Sequence, residues 1–294
     1  MRFEGSCRNS QGVEPENQTT PKTVMSSDFT ASVKAYWEDP STVSIIDKNL
    51  HQIEIDTVCR HLLPTDSLAD IGCGNGEATV QYAAKVARCT GIERSEHLRA
   101  KAERAARDSR RSNISIRSGD ILDETLPAGA FDVIVTQRLL INLASWEEQM
   151  QGILNVYRML KPAGRYVMIE NTNDALLALN DVRVALNMAP IPQHWHNRFF
   201  DYDQLMNFLR GKFQLLRTYD FGLYYLLTRV YVPMFASFVG YGAKAVKDPI
   251  FEKSDAAARV LFEHLKERVT ISGCRAFGPI QAFVLRREGS ELPA

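Results

Sequence analysis

The 294-residue sequence predicts an α/β fold: a mostly parallel, doubly wound sheet with an antiparallel last strand and helical lid insertions. Three observations predict it. Short apolar runs alternate with amphipathic helical runs from residue 67 to residue 169, the pattern of βαβ units with right-handed crossovers. A glycine-rich turn, Gly72, Gly74 and Gly76 at every second position, separates the first strand from the first following helix. Free N–H groups at such a helix start can meet a ligand. An acid, Glu93, ends the second strand, the rim where open α/β sheets bind their ligands.

Residues 1–30 are rich in Ser, Thr, Asn, Gln and Pro and poor in large apolar groups. They are expected to form a mobile tail, with a single domain over 31–290. Order is expected to begin near Val33–Trp37. Over 44–63, Ile55, Val58, Cys59 and Leu62 share one helical face. Strands follow at Ser67–Ile71, Arg88–Ile92, Ile114–Arg117, Phe131–Val135 and Arg165–Ile169. Helices are expected at Glu77–Val86, at Ser95–Arg107 with Ser95 as N-cap, and at Trp146–Leu160. Lys161–Gly164 should stop the last of these, as Pro and Gly do beyond a helix end. Residues 173–211 read as a helix, a turn around Pro190 and Pro192, and a second helix from Tyr202 to Leu209. A sixth strand is expected at Phe213–Arg217 and a bent seventh at Ala276–Leu285.

Lys plus Arg and Asp plus Glu are both 35, and this zero net charge argues against a nucleic-acid partner. Five cysteines without a CxxC pair suit neither a disulfide framework nor a zinc site, and fit a reducing cytoplasm. The first residues lack an apolar run, so no secretory signal is expected. Residues 221–245 are apolar, but Arg229, Pro233 and Lys244 break the run. A buried lid is therefore expected rather than a transmembrane helix. Nothing in the sequence indicates an oligomeric state.

Glu93 can accept both hydroxyls of a ribose, and Asp120, after the third strand, can accept from an adenine amino group. A nicotinamide dinucleotide site would need glycine where Glu77 stands, and a P-loop would need a Gly-Lys-Ser/Thr sequence that is absent. The segments LADIGCGNGEAT, GIERSEHLRAKA, GDIL, FDVIVTQRLLINL and RMLKPAGRYVMIEN resemble the class I S-adenosylmethionine-dependent methyltransferases, over about residues 65–171. The resemblance implies a Rossmann-like sheet and S-adenosylmethionine as cofactor. It implies Asp70, Gly72 and Gly74 at the methionine end, with Gly76 completing the turn. Glu93 would hold the ribose, and Asp120 and Ile121 would frame the adenine. Gln137 and Arg138 would stand at the junction of cofactor and acceptor.

Methyl transfer from a sulfonium is an in-line displacement that benefits from alignment and exclusion of water. Lid candidates are Tyr36–Trp37, residues 173–211 and the aromatic insertion 221–273, where Tyr224 or Tyr225 is expected to reach the acceptor. Candidate catalytic groups are His194 and His196, Glu170 at the end of the fifth strand, and Tyr225. A histidine suits a general base, but can equally be a loop residue satisfied by backbone. Asn171 and Asn173 share the rim with Glu170, where capping is the competing role. The two histidines at i, i+2 lack evident Asp or Glu partners, so no metal is expected. The reading is methyl transfer to a small molecule, with a faint likeness to enzymes of surface-sugar or secondary-metabolite pathways. The alternative is a non-catalytic cofactor-binding or scaffolding protein of the same fold.

Overall fold

A computed structural model describes residues 24–42, 45–123, 127–238, 249–266 and 276–289. Seven strands among them form one sheet: β1 (Ser67–Ile71), β2 (Arg88–Glu93), β3 (Ile114–Ser118), β4 (Phe131–Gln137), β5 (Leu160–Asn171), β6 (Phe213–Asp220) and β7 (Ile280–Arg287). Their order is β3-β2-β1-β4-β5-β7-β6. The first five pair in parallel, while β7 runs antiparallel between β5 and β6. The order reverses at β1, so the carboxyl ends of β1 and β4 flank the switch point where ligands bind.

Alternate side chains of each central strand feed two cores. Leu68, Val133, Val135 and Val167 face one way, with Ile53, Tyr82, Tyr224 and Phe262. Ala69, Ile134, Tyr166 and Met168 face the other, with Ile153, Phe200 and Phe283. All five residues of β1 are buried, as expected of a strand covered on both faces.

The helices are α1 (Val24–Glu38), α2 (Lys48–Cys59), α3 (Glu77–Ala83), α4 (Glu96–Asp108), α5 (Trp146–Met159), α6 (Asn173–Ala185) and α7 (Tyr202–Leu209). Ser95 caps α4 by accepting from the Leu98 N–H at 3.2 Å, and Asp47 caps α2 by accepting from Leu50 at 2.9 Å. The insertion after β6 holds α8 (Gly222–Tyr225), a π-helical turn (Leu226–Tyr231), α9 (Val232–Phe238) and α10 (Pro249–Leu265). No helix of the described residues is long and apolar enough to cross a membrane.

Several boundaries differ from expectation. Helix α1 starts at Val24, inside the stretch expected to be a tail; residues 1–23 of that tail lie outside the described residues. Helix α5 does end just before residues 161–164, but these residues belong to β5, which begins at Leu160. A register shift opposite, between Phe131 and Val133 of β4, absorbs the proline-containing start. Strand β7 begins at Ile280, four residues later than expected, because Gly278 turns the chain with φ +83° just before it.

Candidate active site

A cavity of about 400 Å³ opens at the carboxyl ends of β1 and β4. Its floor is the turn after β1. The Gly72 and Cys73 N–H groups both donate to Ile92 O, at 2.8 and 3.2 Å, which ties the turn to β2. Gly74 has φ +57°, and a Cβ there would meet nothing within 4 Å. The backbone is thus left-handed and bare where it faces open space, an arrangement that lets a ligand approach closely.

Two buried acids flank this turn. Asp70 takes the Thr79 hydroxyl at 2.6 Å, and burial pushes its carboxyl up to about 6, with neighbouring Glu93 adding to the effect. Glu93 accepts from the Gly74 N–H at 2.9 Å and from the Ser95 N–H at 2.8 Å. Burial raises its pKa despite those two bonds. Asp120 lines the same end of the cavity and pairs with Arg94 at 3.3 Å, with Ile121 beside it. Helix α1 covers this end: the Ser95 hydroxyl donates to Trp37 O, and the Trp37 indole donates to Asn142 Oδ1 at 3.2 Å.

The other end is walled by apolar side chains, among them Leu50, Leu176, Ile191, Phe199 and Ile280. Set into this wall are polar atoms without partners among the described residues: His51 Nε2, Asn171 Oδ1 and His196 Nδ1. Buried polar groups are nearly always satisfied, so unpartnered ones around a cavity mark the place of a bound molecule. The His196 ring stacks on Tyr36 at 4.4 Å between centroids and lies beside His194 at 5.6 Å. Burial, with help from His194, lowers its pKa and favours the neutral ring. Arg138, at the end of β4, has φ +52°, a strained conformation for a residue with a side chain. Its N–H donates to Ile169 O at 2.7 Å, and its guanidinium lies 3.3 Å from Glu54.

Of the residues nominated from sequence, Asp70, Gly72, Gly74, Glu93, Asp120, Ile121, Gln137, Arg138, His194, His196 and Tyr225 all line this one cavity. Two do not. Gly76 packs against α4 instead, where a Cβ would lie 2.8 Å from Ala102 Cα. Glu170, expected among the catalytic groups, is fully buried away from the cavity. Its two oxygens accept from the backbone N–H groups of Leu139, Leu140 and Ile141 at 2.9–3.3 Å. It is a clamp on the loop after β4. Tyr224 also misses the cavity, because its hydroxyl donates to Asp47 at 2.9 Å.

His51 and Glu54 on α2 escaped sequence reasoning. They are an i, i+3 pair on an apolar helix face, where a polar pair has no local signature. Only the Gln137 amide, brought from β4, reveals them.

Residues 68–164 match the family model described as "Methyltransferase domain". The chain is similar to a demethylmenaquinone methyltransferase of Symbiobacterium thermophilum, 32% identical over 37% of this chain and 44% of that protein. The chain thus spans less than half the length of that relative. It is also similar to a ubiquinone biosynthesis O-methyltransferase of Chromobacterium violaceum, 27% identical over 69% of this chain and 88% of that one. Among solved structures, magnesium protoporphyrin IX methyltransferase from Synechocystis PCC 6803 with bound S-adenosylhomocysteine shares the fold. The TM-score is 0.54, with 15% identity over 91% of this chain and 100% of that chain. Sheet order and family match agree with the motif order read along the chain: residues 68–164 match a methyltransferase domain, and the sheet is the Rossmann-like one of S-adenosylmethionine-dependent methyltransferases.

Proposed function

We propose that the protein transfers the methyl group of S-adenosylmethionine to a small molecule with an apolar body. The observation that carries this reading is the continuity of one cavity. It runs from the Gly72–Gly74 turn and Glu93 to an apolar wall bearing unpartnered polar atoms. In this reading Asp70 and the glycine turn hold the methionine end, Glu93 the ribose, and Asp120 with Ile121 the adenine. The acceptor lies between Arg138, His196 and Tyr225, so that its nucleophilic atom is in line with the methyl–sulfur bond. Helix α8 through Tyr225, the π-helical turn through Arg229, and α1 through Tyr36 and Trp37 serve as lids that exclude water.

A concave cavity of about 400 Å³ and balanced charge favour a small molecule over nucleic acid, and the free thiols of Cys59, Cys73 and Cys89 suit the cytoplasm. The likeness to two quinone-pathway methyltransferases supports an acceptor with a ring and oxygen substituents.

Calorimetric titration with S-adenosylhomocysteine tests the cofactor half. Binding in the micromolar range is expected, and none at millimolar ligand would refute it. Turnover of labelled S-adenosylmethionine over a panel of apolar hydroxylated acceptors tests the other half. Binding without any turnover would favour the non-catalytic scaffold.

A further inference from the structure

Glu54 is fully buried on α2, and three groups converge on its Oε2 atom. The Gln137 amide nitrogen donates to it, Arg138 lies 3.3 Å away, and His51 Nδ1 lies 3.7 Å away. Burial opposes the charge, but the Arg138 guanidinium beside it holds the carboxyl below its ordinary pKa. An ionised carboxylate can only accept hydrogen bonds. The Gln137 atom against it is therefore the amide nitrogen, and the amide oxygen is left to accept from the Tyr82 hydroxyl at 3.2 Å.

The second N–H of the same amide meets His51 Nδ1 at 3.0 Å. Nδ1 must then accept, so the proton of the neutral ring resides on Nε2. His51 lines the cavity, and its Nε2 is the ring nitrogen without a partner. The site thus presents a fixed N–H donor, rather than a proton acceptor, amid the apolar wall.

We propose that His51 binds an anionic oxygen of the methyl acceptor, an ionised phenol or enol, through Nε2–H, and that Glu54, acting through Gln137, is the positioning residue that keeps the proton there. This deepens the methyl-transfer reading and rests on it. The acceptor enters as the anion. Its nucleophilic atom forms a bond to the methyl carbon as the carbon–sulfur bond breaks, and sulfur keeps the electron pair. The negative charge of the acceptor and the positive charge of the sulfonium cancel, leaving neutral methylated product and S-adenosylhomocysteine. No proton has to pass to the protein, which accounts for a histidine locked as a donor.

Nitrogen-15 spectra of the full chain loaded with S-adenosylhomocysteine test the lock. His51 Nε2 is expected to give a protonated, pyrrole-type signal and Nδ1 a pyridine-type signal, and this preference should be lost in Glu54→Gln. The probe for the acceptor site is 4-nitrophenol, whose anion is coloured. It is expected to bind as the anion, to shift the Nε2 signal, and to bind about tenfold or more weakly to His51→Phe, the loss of one charge-assisted bond. A proton on Nδ1, an unchanged tautomer in Glu54→Gln, or probe binding that is absent or equal in His51→Phe would overturn the proposal. Calorimetry with S-adenosylhomocysteine on the same samples keeps the two readings apart. A wild-type protein that does not bind it would overturn the methyl-transfer reading itself.

Discussion

A Cβ placed on Gly278 would lie 2.2 Å from Tyr225 Cδ2, so the bend before β7 and the aromatic wall of the cavity fit only without a side chain at 278. Gly278 also has φ +83°. Gly278→Ala combines left-handed strain with overpacking and should cost roughly 2–4 kcal/mol of stability. Thermal unfolding checks that figure. Because Tyr225 must move, turnover should fall further than S-adenosylhomocysteine affinity; an equal loss of both would show that Tyr225 does not face the acceptor.

Glu93→Ala should weaken S-adenosylhomocysteine binding by about 1.5–3 kcal/mol for each charge-assisted bond lost to the ribose. The substitution also frees the Gly74 and Ser95 N–H groups, which Glu93 holds. Calorimetry on Glu93→Ala and Glu93→Gln separates these effects, with the glutamine variant expected to retain part of the affinity. Wild-type affinity in both would remove Glu93 from the cofactor site.

Asp70 gives a pH signature. Its folded-state pKa of about 6 lies above the ordinary 3.8, so the folded protein keeps a proton that the unfolded chain has released. Stability from this group is complete below about pH 4 and is lost as pH rises through 6, by on the order of 3 kcal/mol. The difference between wild type and Asp70→Asn in urea titrations at pH 4, 5, 6 and 7 isolates it. A cationic methionine ammonium beside Asp70 would favour the ionised form, so S-adenosylhomocysteine should bind more tightly as pH rises across the same range. A flat affinity profile would place the ammonium elsewhere.

Glu170→Gln distinguishes a clamp from a catalytic acid. The amide retains one acceptor oxygen but turns an N–H₂ toward a backbone donor among residues 139–141, so stability should fall by about 1–3 kcal/mol. Once folded, the variant should retain turnover within an order of magnitude. A variant of wild-type stability that has lost turnover would restore the catalytic role.

Much of the sheet was legible because each parallel strand is apolar and each helix carries its own start signal. Ser95 before α4 is one such signal, and its hydroxyl does take the Leu98 N–H. The start of β5 was misread because Pro162 and Gly164 have the composition of a turn; their place in the ladder depends on a register shift in β4, which no local sequence encodes. The glycine-turn end of the cavity was readable from residues adjacent in sequence to strand ends. Glu170 shared that position, and its face of β5 was not evident, so a loop clamp looked like a catalytic acid. His51 went unnoticed for the opposite reason: its meaning resides in its contact with Gln137, 86 positions away, which also donates to Glu54.

The placement of β7 also bears on how the chain is made. The last strand of the described residues sits second from the β6 edge of the sheet, separating β5 from β6, and among the described residues β6 pairs with no other strand. During synthesis, residues 213–220 emerge some sixty residues before their hydrogen-bonding partner at 280–287. The half from β1 to β5 can assemble on the ribosome while the edges of β5 and β6 wait for β7, and unpaired edges invite association with other chains. A chain terminated prematurely before Ile280 would therefore be a sticky intermediate rather than a smaller enzyme.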